Sequence, residues 1–280
     1  MSRFSWFLLG YRTRRGEPKA GGLRLRAAMV LAAAVCGGFA QAQQPAKASK
    51  DLRVAAAADL QPVLPVLAER YEKATGAKLA VSYGSSGMLT TQILNGAPMD
   101  LFLGADFVFP EKIVAAEMAD AKSPTPYARG TLVLWARKDS PLQPISLDTL
   151  VDKRVKTVAI ANDLHAPYGQ AAVSALRRLN MYDQVKPHLV VAENIAQTAQ
   201  FVESGNAQLG LISLTAASTP RFQAEGTFVR VPKSSYVPIL QCAVVMAKSD
   251  RRAEAHAFLD WLLKPEIQAV MATMGLEPVK

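Results

Sequence analysis

From residue 51 onward the sequence alternates short apolar runs with segments of helical period, and it does so in two consecutive series. That alternation is the pattern of an α/β architecture, in which mostly parallel strands are buried under the helices that join them. In the first series "LRVAAAA", "KLAVSY" and "MDLFLGA" read as strands, and helices fill the spaces between them and continue in "FPEKIVAAEM". Gly76 and Gly96 stop the first two helices, and Pro62 and Pro65 make the first one irregular or late to start. In the second series "VKTVAIAND", "PHLVVAE" and "AQLGLISL" read as strands, with "YGQAAVSALRRLN" and "IAQTAQFVESG" as helices. A strand over 131–136 precedes that series. Strand-like "FVRVP" and "VPILQCAVVMAKS" follow it, and then a helical stretch over 251–274 that is interrupted at Pro265. The pattern predicts two lobes, 43–133 with 238–280 and 134–237, linked by the strands near 132 and 241.

The first forty-odd residues are of another kind. Arg12, Arg14, Arg15, Lys19, Arg24 and Arg26 precede an apolar run over 27–40 that ends in "AQAQQ". A basic start, a short apolar run and small residues at a cut site make a secretory signal peptide, here 1–42 with Ala40 and Ala42 before the cut. The run is too short to span a bilayer comfortably. An exported, periplasmic protein is expected. Positions 1–42 hold seven of the 32 basic and one of the 23 acidic residues, which leaves 25 against 22 and a net charge of +3. With the leader set aside, no basic block interleaved with aromatics remains, and nucleic acid is not an expected partner. Cys242 is the one cysteine after the leader, so no intramolecular disulfide is expected. His165, His188 and His256 lack metal-ligand spacing.

Open α/β sheets bind ligands beyond the carboxyl ends of their strands, where loops lead into helices. Four such loops are available: "AAAADL" with Asp59, "YGSSGM" with Ser85 and Ser86, "ANDLHAPYG" with Tyr168, and "AENIAQ" with Asn194 and Ile195. Two come from each lobe, so the cleft between the lobes is the expected site. "GSSG" between a strand and a helix directs backbone N–H groups and two hydroxyls at one point, which suits an anion and equally suits an ordinary helix cap. Catalytic chemistry finds little footing. "GSSG" is not a G-x-S-x-G nucleophile elbow, His165 is the sole candidate base and has no evident orienting partner, and no phosphate-loop motif occurs. The four loops hold neither Arg nor Lys, so an anion there would rest on neutral donors and helix N-termini. Hydrogen bonds to a charged group contribute about 1.5–3 kcal/mol each, enough in a ring of several.

"GSSGMLTTQILNGAPMDLFLGAD", "GTLVLWARKD", "IANDLHAPYGQAAVSAL" and "AENIAQTAQFVESGNAQLGLISL" resemble the periplasmic molybdate-binding proteins of ABC importers, from about residue 51 to the C-terminus. The resemblance implies a two-lobed periplasmic-binding-protein fold, each lobe a mostly parallel sheet flanked by helices with the ligand cleft between. It implies a monomer that takes molybdate or tungstate, has no other cofactor, no metal cation site and no enzymatic activity, and delivers its load to a permease in the inner membrane. Carried across, the ligand-contacting positions are Ser86 with Ser85 beside it, Asp59, Tyr168, and Ile195 through its backbone N–H. Where some members place a tyrosine after "LGLIS", this chain has Ser213. Asp59 is the larger departure, since the family commonly carries Ser or Asn there. An ionised carboxylate about 4 Å from a dianion costs about 8 kcal/mol at an effective dielectric near 20, so direct contact is not expected unless one of the two is protonated. Two readings of Asp59 follow: its side chain turns inward as a helix N-cap, or the ligand is a different small solute bearing a proton or a positive group. A hydrolase is the remaining alternative.

Overall fold

The computed structural model describes residues 51–279. The expected signal peptide, 1–42, lies outside the described residues. The first series folds as β1 (Leu52–Ala57), α1 (Leu64–Thr75), β2 (Leu79–Gly84), α2 (Ser86–Leu94), β3 (Leu101–Gly104), α3 (Val108–Ala115) and β4 (Thr125–Gly130). The second comprises β5 (Leu132–Arg137), β6 (Val158–Ala161), α4 (Pro167–Arg178), α5 (Tyr182–Val185), β7 (Leu189–Ala192), α6 (Ile195–Glu203), β8 (Leu209–Ser213), α7 (Leu214–Ala217), α8 (Pro220–Glu225) and β9 (Gly226–Arg230). The chain then returns through β10 (Ile239–Val245), α9 (Arg252–Leu262) and α10 (Pro265–Thr273).

Two five-stranded sheets result, ordered β2-β1-β3-β10-β4 and β7-β6-β8-β5-β9. In each, three parallel strands lie side by side and an antiparallel strand that precedes or follows them in the chain closes on the third, β10 on β3 and β5 on β8. The inner strands β1, β3, β10, β6, β8 and β5 are largely apolar and buried, as strands covered on both faces require, while the edge strands β2, β7 and β9 are half-exposed. On one side of the first sheet, α9 packs against α1 through Tyr71 and Phe258, whose rings meet edge to face at 4.8 Å.

Local chemistry sets the element ends. Gly76 takes a left-handed φ of +75° and its N–H closes on the Glu72 carbonyl at 2.7 Å, ending α1. Pro62 and Pro65 have the anticipated effect: a 3-10 turn over Ala58–Leu60 precedes α1, which begins only at Leu64. Pro265 separates α9 from α10 and stands at the first position of the latter.

The lobe boundary expected from the sequence needs correction. The chain leaves the first sheet at Gly130 and joins the second at Leu132, so Leu132 and Val133 pair with Ser213 and Ile212 in the second sheet. Gln241 lies wholly in the first sheet, and the return between lobes runs through 231–238 rather than through the strand itself. Gly130 alone marks the switch of sheets, and the apolar run "LVLW" that follows belongs wholly to the second sheet. β4 was not anticipated either, because "TPYARG" carries Pro126, Arg129 and Gly130, all poor strand formers. Its pairing with β10 is irregular: Gln241 faces Ala128 and Cys242 faces Pro126, so Tyr127 is an extra, bulged residue on β4.

Parallel pairing brings the binding loops together. β1 and β2 end in register, Ala57 opposite Gly84, and β6 and β7 end in register, Ala161 opposite Ala192. The loops that follow these four ends meet between the lobes. There the Gly87 N–H donates to the His165 carbonyl at 2.8 Å. Gly87 makes that approach possible: a Cβ at this position would stand 3.0 Å from the His165 backbone.

Candidate functional site

The four loops line a small cavity of about 10 Å3. Asp59, Ser85, Ser86, Tyr168 and Ile195 all line it, together with Asn194 and the small residues Ala58 and Ala105. A larger open groove of about 340 Å3 lies beyond Ala58, lined by Pro62, Gln200, Phe222 and the Glu203–Arg221 ion pair. None of the five sequence-predicted residues lines that groove.

Three helix N-termini line the cavity, those of α2, α4 and α6, and the first and last of these carry side-chain caps. At α2, Ser85 is the N-cap and its Oγ accepts the Met88 N–H at 3.4 Å. At α6, Asn194 is the N-cap and its Oδ1 accepts the N–H groups of Ala196 and Gln197 at 3.1 and 3.0 Å. The caps satisfy later N–H groups of the first turn, and helix geometry gives those of Ser86 and Ile195, each at the first position, no intrahelical acceptor. The Ser86 hydroxyl is fully buried and accepts the Ala105 N–H at 3.0 Å, leaving its own hydrogen to donate. Ser85 donates across the cleft to Glu193 Oε1 at 3.4 Å.

Asp59 is held by groups from both lobes. Its Oδ2 accepts the Tyr168 hydroxyl from α4 at 3.1 Å and the side-chain amide of Gln241 from β10. Its carbonyl accepts the Thr215 hydroxyl from α7 at 2.7 Å. The inward N-cap reading is corrected here. Asp59 is the middle residue of the 3-10 turn, the cap position is Ala57, and the carboxylate caps nothing. Burial pushes the Asp59 carboxyl up to about 7, and the Gln241 and Tyr168 donors keep it from rising further. The Tyr168 hydroxyl is pushed well above its ordinary value by its own burial and by Asp59.

Tyr168 thus spends its hydroxyl hydrogen on Asp59, where the sequence predicted a donor to the ligand. It reaches that position over Gly130, where a Cβ would stand 2.3 Å from its oxygen. Ser213 caps α7 through the Ala216 N–H and lies 2.8 Å from the Thr215 hydroxyl, outside the small cavity. His165 is exposed and meets the site only through its backbone. Among the described residues no cluster of three His, Cys, Asp or Glu is placed to hold a metal ion.

Sequence reasoning missed two residues that shape the site, Gln241 and Gly130. The first carried a signal, a lone amide inside the apolar strand "ILQCAVV". The second did not, because the need for a bare backbone there arises only once α4 is packed across β4.

The family model for bacterial extracellular solute-binding proteins matches residues 52–277. The chain belongs to that family. This solute-binding protein is 36% identical over 225 residues to the molybdate-binding protein ModA of Azotobacter vinelandii, covering 80% of this chain and 89% of that one. It is 34% identical over 231 residues to the molybdate-binding protein ModA of Rhodobacter capsulatus, covering 82% and 89%. Among solved structures it matches the periplasmic molybdate-binding protein of Azotobacter vinelandii with a TM-score of 0.78 and 31% identity, over 82% of this chain and all of that one. The fold is therefore the two-lobed one that the sequence led us to expect.

Proposed function

We propose that this chain captures a tetrahedral oxyanion, molybdate or tungstate, between its lobes and hands it to an ABC permease in the inner membrane. It works as a periplasmic monomer after loss of its leader, binds no nucleic acid, needs no cofactor and catalyses no reaction. One observation carries the reading. The first turns of α2 and α6 converge on a small cavity whose lining has no Arg or Lys and offers the Ser86 hydroxyl and first-turn N–H groups as donors, with Ser85 beside them as the cap of α2. Each helix N-terminus contributes about half a positive charge, which suits a compact dianion. Ile195 adds its backbone N–H, and Asp59 completes the lining with Tyr168 holding its carboxyl group. The relatives named for molybdate binding support the choice of anion.

The test is thermal unfolding of the mature chain with each of four anions. A ligand at 100 times its Kd stabilises by about 2.7 kcal/mol, a shift of several degrees in Tm. Molybdate and tungstate should produce that shift and sulfate and phosphate should not. Equal shifts from sulfate and molybdate would remove the selectivity, and no shift from any of the four would remove the function.

A further inference from the structure

Asp59 lines the cavity, and its carboxyl group is held asymmetrically. It is 2% exposed, and the two side-chain donors that reach it, Tyr168 and Gln241, converge on Oδ2, with its own backbone N–H as a further, weaker donor to the group. Oδ1 is buried and has no partner among the described residues. A neutral carboxylic acid has one carbonyl oxygen, which accepts, and one hydroxyl oxygen, which donates. Two donors on Oδ2 make that atom the carbonyl and leave Oδ1 as the place for the proton. The groups that face Asp59 reinforce this. Tyr168 comes from α4, Tyr127 from β4, Gln241 from β10 and Thr215 from α7; Asp106 and Cys242 bear on Tyr127 in turn. All are neutral or acidic, so nothing in this set stabilises a carboxylate anion as a cation would.

Resting on the oxyanion reading above, we infer that Asp59 meets its ligand as the neutral acid, Oδ1–H donating to an anion oxygen, so that each dianion is bound together with one proton. The donors on Oδ2 fix which oxygen turns to the ligand, and the ligand's own charge favours the protonated form. With the carboxyl of the ligand-free protein near 7, the proton is already in place below that pH and must be taken up with the anion above it. Affinity is then level in mild acid and falls about tenfold per pH unit in mild alkali. An asparagine would mimic the neutral acid permanently. Its Oδ1 would accept from Tyr168 and Gln241, and its amide nitrogen would donate where Oδ1–H did.

The experiment is calorimetric titration of the mature chain with sodium molybdate at pH 6.0, 7.5 and 8.5, each in two buffers of different ionisation enthalpy, for the parent and for Asp59→Asn. The parent should take up close to no protons at pH 6.0 and about one per molybdate at pH 8.5, with an affinity about tenfold lower at 8.5 than at 7.5. Asp59→Asn should take up none and hold its affinity within about twofold throughout, binding more tightly than the parent at pH 8.5. A parent that takes up no proton at pH 8.5 and keeps a level affinity overturns the inference while leaving the oxyanion reading intact. So does an Asp59→Asn variant that keeps the parent's slope, since another group would then carry the proton. A folded parent that binds no molybdate at any of these pH values overturns the oxyanion reading itself and the inference with it. Should the variant fail to fold, the proton count on the parent alone decides.

Discussion

Each lobe points the first turn of a nine-residue helix at the cavity, α2 from one side and α6 from the other, yet the two turns are finished differently. Asn194 closes α6 with one rigid amide oxygen taking two N–H groups at 3.0–3.1 Å, all within its own helix. Ser85 closes α2 with a single bond of 3.4 Å and spends its hydrogen on Glu193 of the other lobe, also at 3.4 Å. The second lobe therefore offers a socket made of backbone and complete in itself. The first lobe offers hydroxyls and a carboxyl whose present partners are long, shared or drawn from across the cleft. The one carboxyl group lining the cavity, that of Asp59, comes from the first lobe, while the second contributes helix N-termini and, in Tyr168 and Glu193, partners for the first lobe's polar groups.

Substitutions can break that contrast or sharpen it. The largest effect should come where the two halves touch. Gly130→Ala places a methyl group on the Tyr168 hydroxyl and against Ile239, which it would approach at 2.8 Å. Overpacking of this kind should cost about 3 kcal/mol and displace Tyr168 from Asp59. Urea unfolding checks the stability, and a molybdate titration should show weakened binding. A variant as stable as the parent would mean that the contact between halves is soft.

Ser86→Ala comes next. It strands the buried Ala105 N–H and removes a donor from the cavity, so stability should fall by about 2 kcal/mol and molybdate binding by a similar amount. Unfolding and calorimetry on the same sample separate the two losses. If binding is unaffected while stability falls, the first lobe holds its ligand through backbone alone, and the contrast with the second lobe disappears.

Asn194→Ala should have the smallest effect, about 1 kcal/mol of stability from the lost cap. Binding should weaken only through fraying of the first turn of α6, which hydrogen exchange at Ile195 and Ala196 would register. A loss of binding larger than that for Ser86→Ala would reverse the assignment and make the second lobe's cap the dominant element.

Much of this was legible in the sequence. The parallel strands betrayed themselves as short apolar runs, because buried strands need no polar face. The loops could be found because they follow such runs and carry cap residues such as Ser85 and Asn194. Less legible was whatever depends on strands far apart in sequence. β4 has low strand propensity and exists because β10 pairs with it, and the bulge at Tyr127 is a property of the pair. The environment of Asp59 was hidden for the same reason, since its partners Tyr168, Thr215 and Gln241 come from 109, 156 and 182 residues away. From the local sequence alone, a helix cap was the simplest use for an aspartate at the end of a strand.

The order of strands in the first sheet also bears on how the protein is made. All five strands of the second sheet lie between Leu132 and Arg230, whereas β10, which begins at Ile239, must insert between β3 and β4 to complete the first. A ribosome working from the N-terminus therefore finishes the second sheet while the first still has β3 as an open edge and β4 without a neighbour. Such edges readily pair with another chain. A nascent chain halted shortly before residue 239 would carry one closed sheet and one adhesive one, and a chaperone that guards this protein would need to hold it until the last forty or so residues had emerged.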